Sequence, residues 1–509
     1  MRPLVSVSTC LIISVGACSS IGSSFEQNLE EVRESLVTPI EDYFAQSVEW
    51  SSCGGDAFCA VVRAPLDWDN PGRGGDVALA LSMHKSTERS QGSLFVNPGG
   101  PGVSGFTFVR DNVEAAVSDD VRASFDVVGW DPRGVNLSSS ISCSETDAEL
   151  DKFFFGQFRS EAGSDERRKE EMSESIRFGE QCLRHSGELL GFVDTLSTVR
   201  DLDLLRDLLG NEKLNYFGYS YGTLIGALYI EEYPLRVGRV VLDGPIDPAS
   251  SQFDLVLNQH RGFERALSAY LNECAVQNSC PFEGNLSTQL QQVSELYEAL
   301  ALNPLPHSDG RLVDDGVLRT AMVTALYSAD SWPFLDQMFS ELRDGETETA
   351  FFLVDYYYDR DDGKYLNNSI EAFIAINCLD YAPESDPDVL RSQAAQLRQA
   401  APFTSRPSEN GDLVCMNWPY PPKLQRGPVS GEGADPIVIL GTTGDPATPY
   451  NWAQSLNAQI SNSVLVTLIG EGHLAYDEGL TCINRPVDSY LISGELPMEG
   501  LTCEMAKVK

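Results

Sequence analysis

The chain has 509 residues, of which 42% are apolar and 9% aromatic, which excludes a disordered protein and exceeds one typical core. Its 75 acidic residues against 36 basic ones give a formal charge of −39, which excludes nucleic acid as a partner because phosphates would be repelled. A solvated acidic surface suited to a saline or extracellular setting explains that charge without any basic partner.

Arg2 is followed by a mostly apolar run, Leu4 to Gly16, which is too short to span a bilayer and has the character of a signal-peptide core. It ends in Val15-Gly16-Ala17-Cys18, which resembles a bacterial lipoprotein cleavage box. Residues 1–17 are therefore expected to be a leader. Cys18 is expected to carry a lipid that tethers an exported protein to the cell envelope, its one membrane contact. Residues 18–50 are polar and acidic and are expected to form a spacer. Twelve cysteines less Cys10 and Cys18 leave an even number, as disulfides in an exported chain require. Sequence does not fix their connectivity. Local pairing gives Cys53–Cys59, Cys143–Cys182, Cys274–Cys280, Cys378–Cys415 and Cys482–Cys503 as the simplest set. With five histidines and no Cys-x2-Cys pair, neither zinc nor any other metal is expected.

Short apolar runs bounded by turn residues predict strands at Val77–Met83, Ser93–Asn97 and Ser124–Trp130, the last closing on Asp131-Pro132-Arg133-Gly134. Apolar residues at helical spacing predict a helix from Thr195 that Gly210-Asn211 stops. A strand ending at Tyr219, a helix over Leu224–Tyr233 and a strand at Arg239–Leu242 follow. Strands alternating with helices imply an α/β fold, a doubly wound and mostly parallel sheet covered on both faces. The alternation lapses between residues 249 and 425, where helical patterns and proline-rich loops predict an inserted, mainly helical cap. Strands resume at Pro436–Leu440 and Val464–Ile469. The expected organisation is a core in two parts, residues 51–248 and 426–509, around the cap at 249–425.

Gly218-Tyr219-Ser220-Tyr221-Gly222 lies between a predicted strand and a predicted helix, the context of a nucleophile elbow. A serine hydroxyl attacks only when a histidine takes its proton, and a carboxylate must hold that histidine's tautomer. His473, in Gly470-Glu471-Gly472-His473 after the final strand, is the expected base. Asp445, in Thr443-Gly444-Asp445-Pro446 after the preceding strand, is the expected acid, with Asp243 as its rival. Thr448 is expected to brace this loop or Asp445 itself. Charge building on the attacked carbonyl oxygen needs N–H donors. The glycine-rich loop Asn97-Pro98-Gly99-Gly100-Pro101-Gly102 offers Gly99 or Gly100 together with the amide of Tyr221.

Asn-Pro-Gly-Gly-Pro-Gly-x-Ser-Gly, Trp130-Asp131-Pro132-Arg133-Gly134, Gly-Tyr-Ser-Tyr-Gly-Thr, Asn377-Cys378-x-Asp380, Gly-Asp-x-x-Thr-Pro and Gly-x-Gly-His occur in that order. The set resembles the secreted tripeptidyl aminopeptidases of actinobacteria, α/β-hydrolases related to proline iminopeptidase, from about residue 50 to the end. The resemblance implies Ser220 as nucleophile, Asp445 as acid and His473 as base. Pro98 stands where iminopeptidases have histidine, so iminopeptidase specificity is not implied. An exopeptidase must also bind the free ammonium group of its peptide substrate. Asp380 and Glu371, near the return of the cap, are the candidates; the acidic run Asp355–Asp362 is expected to be a solvated face, with attraction of cationic N-termini as the other reading. The implied activity is release of short peptides, tripeptides foremost, through an acyl-enzyme and without cofactor. The alternatives are an esterase or amidase on the same triad, and a surface-binding protein that has kept only the fold.

Overall fold

The structure, a computed structural model, describes residues 39–158, 160, 164–405, 412–476 and 479–505. The expected leader and Cys18 lie outside these residues. Ten strands form one sheet: β1 (Ser51–Ser52), β2 (Ala57–Pro65), β3 (Asp76–His84), β4 (Ser93–Asn97), β5 (Asp126–Trp130), β6 (Leu214–Tyr219), β7 (Val237–Asp243), β8 (Ile437–Gly444), β9 (Ser463–Glu471) and β10 (Thr502–Glu504). Their order is β1-β2-β3-β5-β4-β6-β7-β8-β9-β10. The three pairings from β1 to β5 are antiparallel and all the others parallel. The parallel strands are near-continuous apolar runs, Val-Val-Leu in β7 and Ile-Val-Ile-Leu in β8, because helices cover both faces of the sheet. The order reverses around β4, so the crevice opens at the carboxyl ends of the central strands, where sites form in such sheets.

Helix α1 (Gly105–Ala116) follows β4, α2 (Thr195–Leu208) precedes β6, and α3 (Tyr221–Glu232) follows it. The Trp-Asp-Pro-Arg-Gly turn after β5 is a structural clamp. Buried Arg133 forks onto Asp201 of α2 at 2.7 and 2.6 Å and donates to the carbonyls of Pro65, Leu66 and Phe192. Buried Asp131 accepts from Ser104, Phe106, Asn136 and Leu137, tying the start of α1 to β5.

Between β7 and β8, helices α4 (Gln252–Cys274), α5 (Asp315–Leu326), α6 (Trp332–Asp344) and α7 (Glu348–Tyr357) build a separate apolar cluster running from Phe263 to Val354. The return segment behaves differently. Helix α8 (Ser369–Asp380) buries Ala372, Ala375, Ile376 and Leu379 in the main core beneath the sheet. The cap cluster also takes in Ala447 and has Phe403 packed against it, so chain on both sides of α8 contributes to it. Within the cap Arg311 forks onto Asp355 at 2.5 and 2.7 Å, while Arg360 forks onto Asp151 at 2.9 Å through both nitrogens and so joins the cap to a helix inserted after β5. The five expected cysteine pairs are all bonded. Such pairs persist in oxidising surroundings, so this is an extracytoplasmic protein. Among the described residues no helix is long and apolar enough to cross a membrane.

Candidate active site

Ser220 sits between β6 and α3 with φ 52° and ψ −123°, a conformation that residues bearing a side chain rarely adopt. The bend leaves no room for side chains on either flank. A Cβ on Gly218 would lie 2.5 Å from the carbonyl oxygen of Gly222, and one on Gly222 would lie 2.7 Å from that of Asn97. The N–H of Ser220 donates to the Asp243 carbonyl on β7 at 2.9 Å, and Thr223 N–H donates back to Ser220 O at 2.9 Å. Tyr219 and Tyr221 are buried while Ser220 between them is half-buried, so the turn raises the serine alone toward the crevice.

Beyond β9, His473 Nδ1 lies 3.0 and 2.9 Å from the two Asp445 oxygens. Asp445 is held by the N–H groups of Ala447 and Thr448 at 2.9 and 2.8 Å and by the Thr448 hydroxyl at 2.9 Å. The same hydroxyl is 3.3 Å from His473 Nδ1. Burial draws the histidine pKa down, but the Asp445 charge and hydrogen bond, with Asp243 adding to them, outweigh it, and the net shift is upward. Serine turn and histidine meet at the end of β7. Asp243 O binds the Ser220 amide, and a Cβ on the next residue, Gly244, would be 3.3 Å from His473 Cε1.

Asp243, the rival acid, has another task. Its carboxylate accepts from the N–H of Ala475 at 3.0 Å and of Tyr476 at 2.8 Å, so it anchors the loop that carries His473. Burial lifts its pKa to about 6 despite those bonds.

The glycine-rich loop reaches the serine turn. A Cβ on Gly99, whose φ is +99°, would lie 3.0 Å from both Ser220 Cβ and Tyr221 N. Its own N–H, however, is taken by Asn97 Oδ1 at 3.0 Å, so Gly99 contributes close approach and not the donor expected of it. Gly100, at φ +106°, and Tyr221, first residue of α3 with no acceptor inside its helix, carry the two remaining amides.

The expected ammonium ligands are placed differently. Asp380 is 1% exposed, and its carboxylate accepts the Thr195 N–H at 2.9 Å and the Thr195 hydroxyl. Glu371 is 5% exposed and accepts the Cys143 N–H at 2.5 Å. Burial raises both pKa values to about 7. Asp380 is thus taken up by the two Thr195 donors, whereas Glu371 has the Cys143 N–H on Oε1 alone. In the acidic run, Asp355 is bound by Arg311 and Asp359 by Asn367 and Ser369. Sequence reasoning missed Tyr327, whose carbonyl accepts the His473 N–H at 2.8 Å, and Arg265, which donates to Glu471 and to Gly444 O. Nothing in the local pattern of either cap residue marks it, since each acts across a distance of many residues.

A profile of the alpha/beta hydrolase fold matches residues 92–480. The chain belongs to the α/β-hydrolase family. This hydrolase is 36% identical over 494 residues to serine protease Hip1 of Mycobacterium tuberculosis, covering 91% of this chain and 92% of that protein. It is 32% identical over 480 residues to carboxylesterase B of the same species, covering 92% of each. It is 29% identical over 479 residues to tripeptidyl aminopeptidase of Streptomyces lividans, covering 90% of this chain and 86% of that one. The hydrolase is thus a serine hydrolase of the peptidase type.

Proposed function

We propose that this hydrolase is an exported aminopeptidase that releases tripeptides from the N-terminus of peptide substrates. The observation that carries the reading is the meeting of the strained Ser220 turn with the His473–Asp445 pair at the end of β7. Ser220 Oγ attacks the scissile carbonyl while His473 Nε2 takes its proton. Asp445 on Nδ1 holds the tautomer and stabilises the imidazolium. The N–H groups of Gly100 and Tyr221 receive the oxyanion. His473 then gives its proton to the leaving amine, freeing the shortened peptide and leaving the N-terminal fragment as an ester on Ser220. Water, deprotonated by His473, hydrolyses that ester. Export rests on the leader at residues 1–17, and lipid attachment on Cys18. Loss of fatty-acid labelling in Cys18→Ala would confirm the anchor, and unchanged labelling would refute it.

Likeness to a tripeptidyl aminopeptidase along 90% of the chain supports the tripeptide unit. A second reading, an esterase on the same triad, is favoured by the carboxylesterase relative. Fluorogenic mono-, di- and tripeptidyl amides, with free and acetylated N-termini, separate the two beside a short-chain ester and a Ser220→Ala control. Release that needs a free amine and is best for the tripeptide supports the aminopeptidase. Ester turnover indifferent to a free amine replaces it with the esterase, and full activity in Ser220→Ala refutes both.

A further inference from the structure

Helix α8 touches both halves of the oxyanion site. At its start, a Cβ on Gly102 of the glycine-rich loop would lie 2.2 Å from Ser369 O and 3.1 Å from Phe373 N, so the loop lies directly against the first turn. At its end, Asp380 takes both the N–H and the hydroxyl proton of Thr195, the first residue of α2. The Tyr221 hydroxyl is 2.5 Å from Thr195 Oγ1. A hydroxyl has one proton to give, and that of Thr195 goes to Asp380, so Tyr221 is the donor in this second contact. The chain of donors runs from Tyr221 through Thr195 to Asp380, with all three residues buried. Tyr221 directly follows Ser220 and carries one of the two oxyanion amides. The Cys378–Cys415 disulfide fixes the same last turn of α8 to the short helix Leu413–Met416.

We propose that Asp380, acting through Thr195, is a positioning residue that holds the Tyr221 amide for the tetrahedral intermediate while its helix holds the glycine-rich loop. This gives the Asn-Cys-x-Asp motif a purpose and rests on the assignment of Ser220 as nucleophile. A buried hydrogen-bonded chain fixes direction as well as distance, and an oxyanion donor stabilises a transition state only when aimed where the charge develops. Ground-state binding of the peptide does not need that aim, so the consequence falls on kcat.

The test compares Asp380→Asn, Thr195→Val and Thr195→Ser with the unaltered protein. Three quantities are read: kcat and KM on the best amide substrate, affinity for a peptidyl aldehyde that forms a tetrahedral adduct, and affinity for the corresponding free peptide acid. Asp380→Asn and Thr195→Val should lower kcat and aldehyde affinity together by about 10- to 100-fold, with KM and peptide-acid affinity within about twofold. Thr195→Ser, which keeps the hydroxyl, should restore both. Equal loss of aldehyde and peptide-acid affinity would overturn the proposal, as would failure of Thr195→Ser to rescue or undiminished kcat in folded Asp380→Asn. Fluorophosphonate labelling of Ser220 in the unaltered protein separates the two levels. Labelling with no effect of Asp380→Asn overturns this proposal alone, and no labelling overturns it together with the serine assignment.

Discussion

The backbone N–H of His473 donates to the carbonyl oxygen of Tyr327, and the two rings meet edge to face at 5.6 Å. The expected base therefore hangs from the cap as well as from β9. One face of α4 grips the acid loop in the same way. Gln259 donates to Ala447 O at 2.8 Å, a Cβ on Gly262 would be 2.4 Å from Pro446 O, and Arg265 reaches both Gly444 O and Glu471. Arg265→Met is expected to lower kcat about tenfold, equivalent to about 1.4 kcal/mol of barrier, with KM nearly unchanged. Because the Arg265–Glu471 pair is partly exposed, global stability should fall by only about 0.5 kcal/mol. Steady-state kinetics and urea unfolding on the same preparation check both numbers.

The pH profile follows from His473. Its pKa in the folded protein lies above 6.5, and only the neutral ring accepts the serine proton. The kcat/KM value should therefore rise with pH through a midpoint above 6.5. Asp445→Asn removes the charge that raises the pKa, so the residual activity, about 10⁴-fold lower, should have a lower midpoint. The linked stability runs the other way. Protonation favours the folded state, so this contribution is complete below 6.5 and is lost as pH rises through the folded value. Melting curves across the same pH range report it.

Asp243→Ala tests the anchoring of the histidine loop. The substitution leaves the N–H groups of buried Ala475 and half-buried Tyr476 without acceptors, at a cost of about 1–3 kcal/mol. It should also lower kcat, though by far less than Asp445→Ala. Equal losses in the two variants would return Asp243 to the role of acid.

The Arg133–Asp201 pair should matter for stability and not for chemistry. Both side chains are wholly buried, and Trp68 Nε1 also donates to Asp201 at 2.9 Å. Asp201→Ala strands a buried guanidinium and should destabilise the protein by about 3–5 kcal/mol. Active-site titration should show an unchanged kcat per folded molecule.

The sheet was legible because a buried parallel strand is written as a compact apolar run. Ser93–Asn97 is read to the residue, and β7 and β8 lie within a few residues of their patterns. β1 and β10 left no pattern, since two or three residues show no periodicity. Ser220, Asp445 and His473 were legible because each sits at a strand end in a turn of small residues. Asp380 and Glu371 could be singled out in the sequence, but their buried partners Thr195 and Cys143 could not. A carboxylate in a sequence does not reveal whether its partner is a ligand or an amide N–H such as that of Cys143, 228 residues away. The same holds for the cap, whose grip on His473 and Asp445 depends on carbonyl groups that every residue has.

The backbone at Ser220 gives the fold a direction of easy decay. At φ 52° and ψ −123° a side chain costs about 1–3 kcal/mol that glycine would not. Replacing that serine with glycine would remove the nucleophile and relax the turn in the same step. Mutational drift toward a sturdier molecule thus leads directly away from an active one, and selection that sees only stability would favour the inert form.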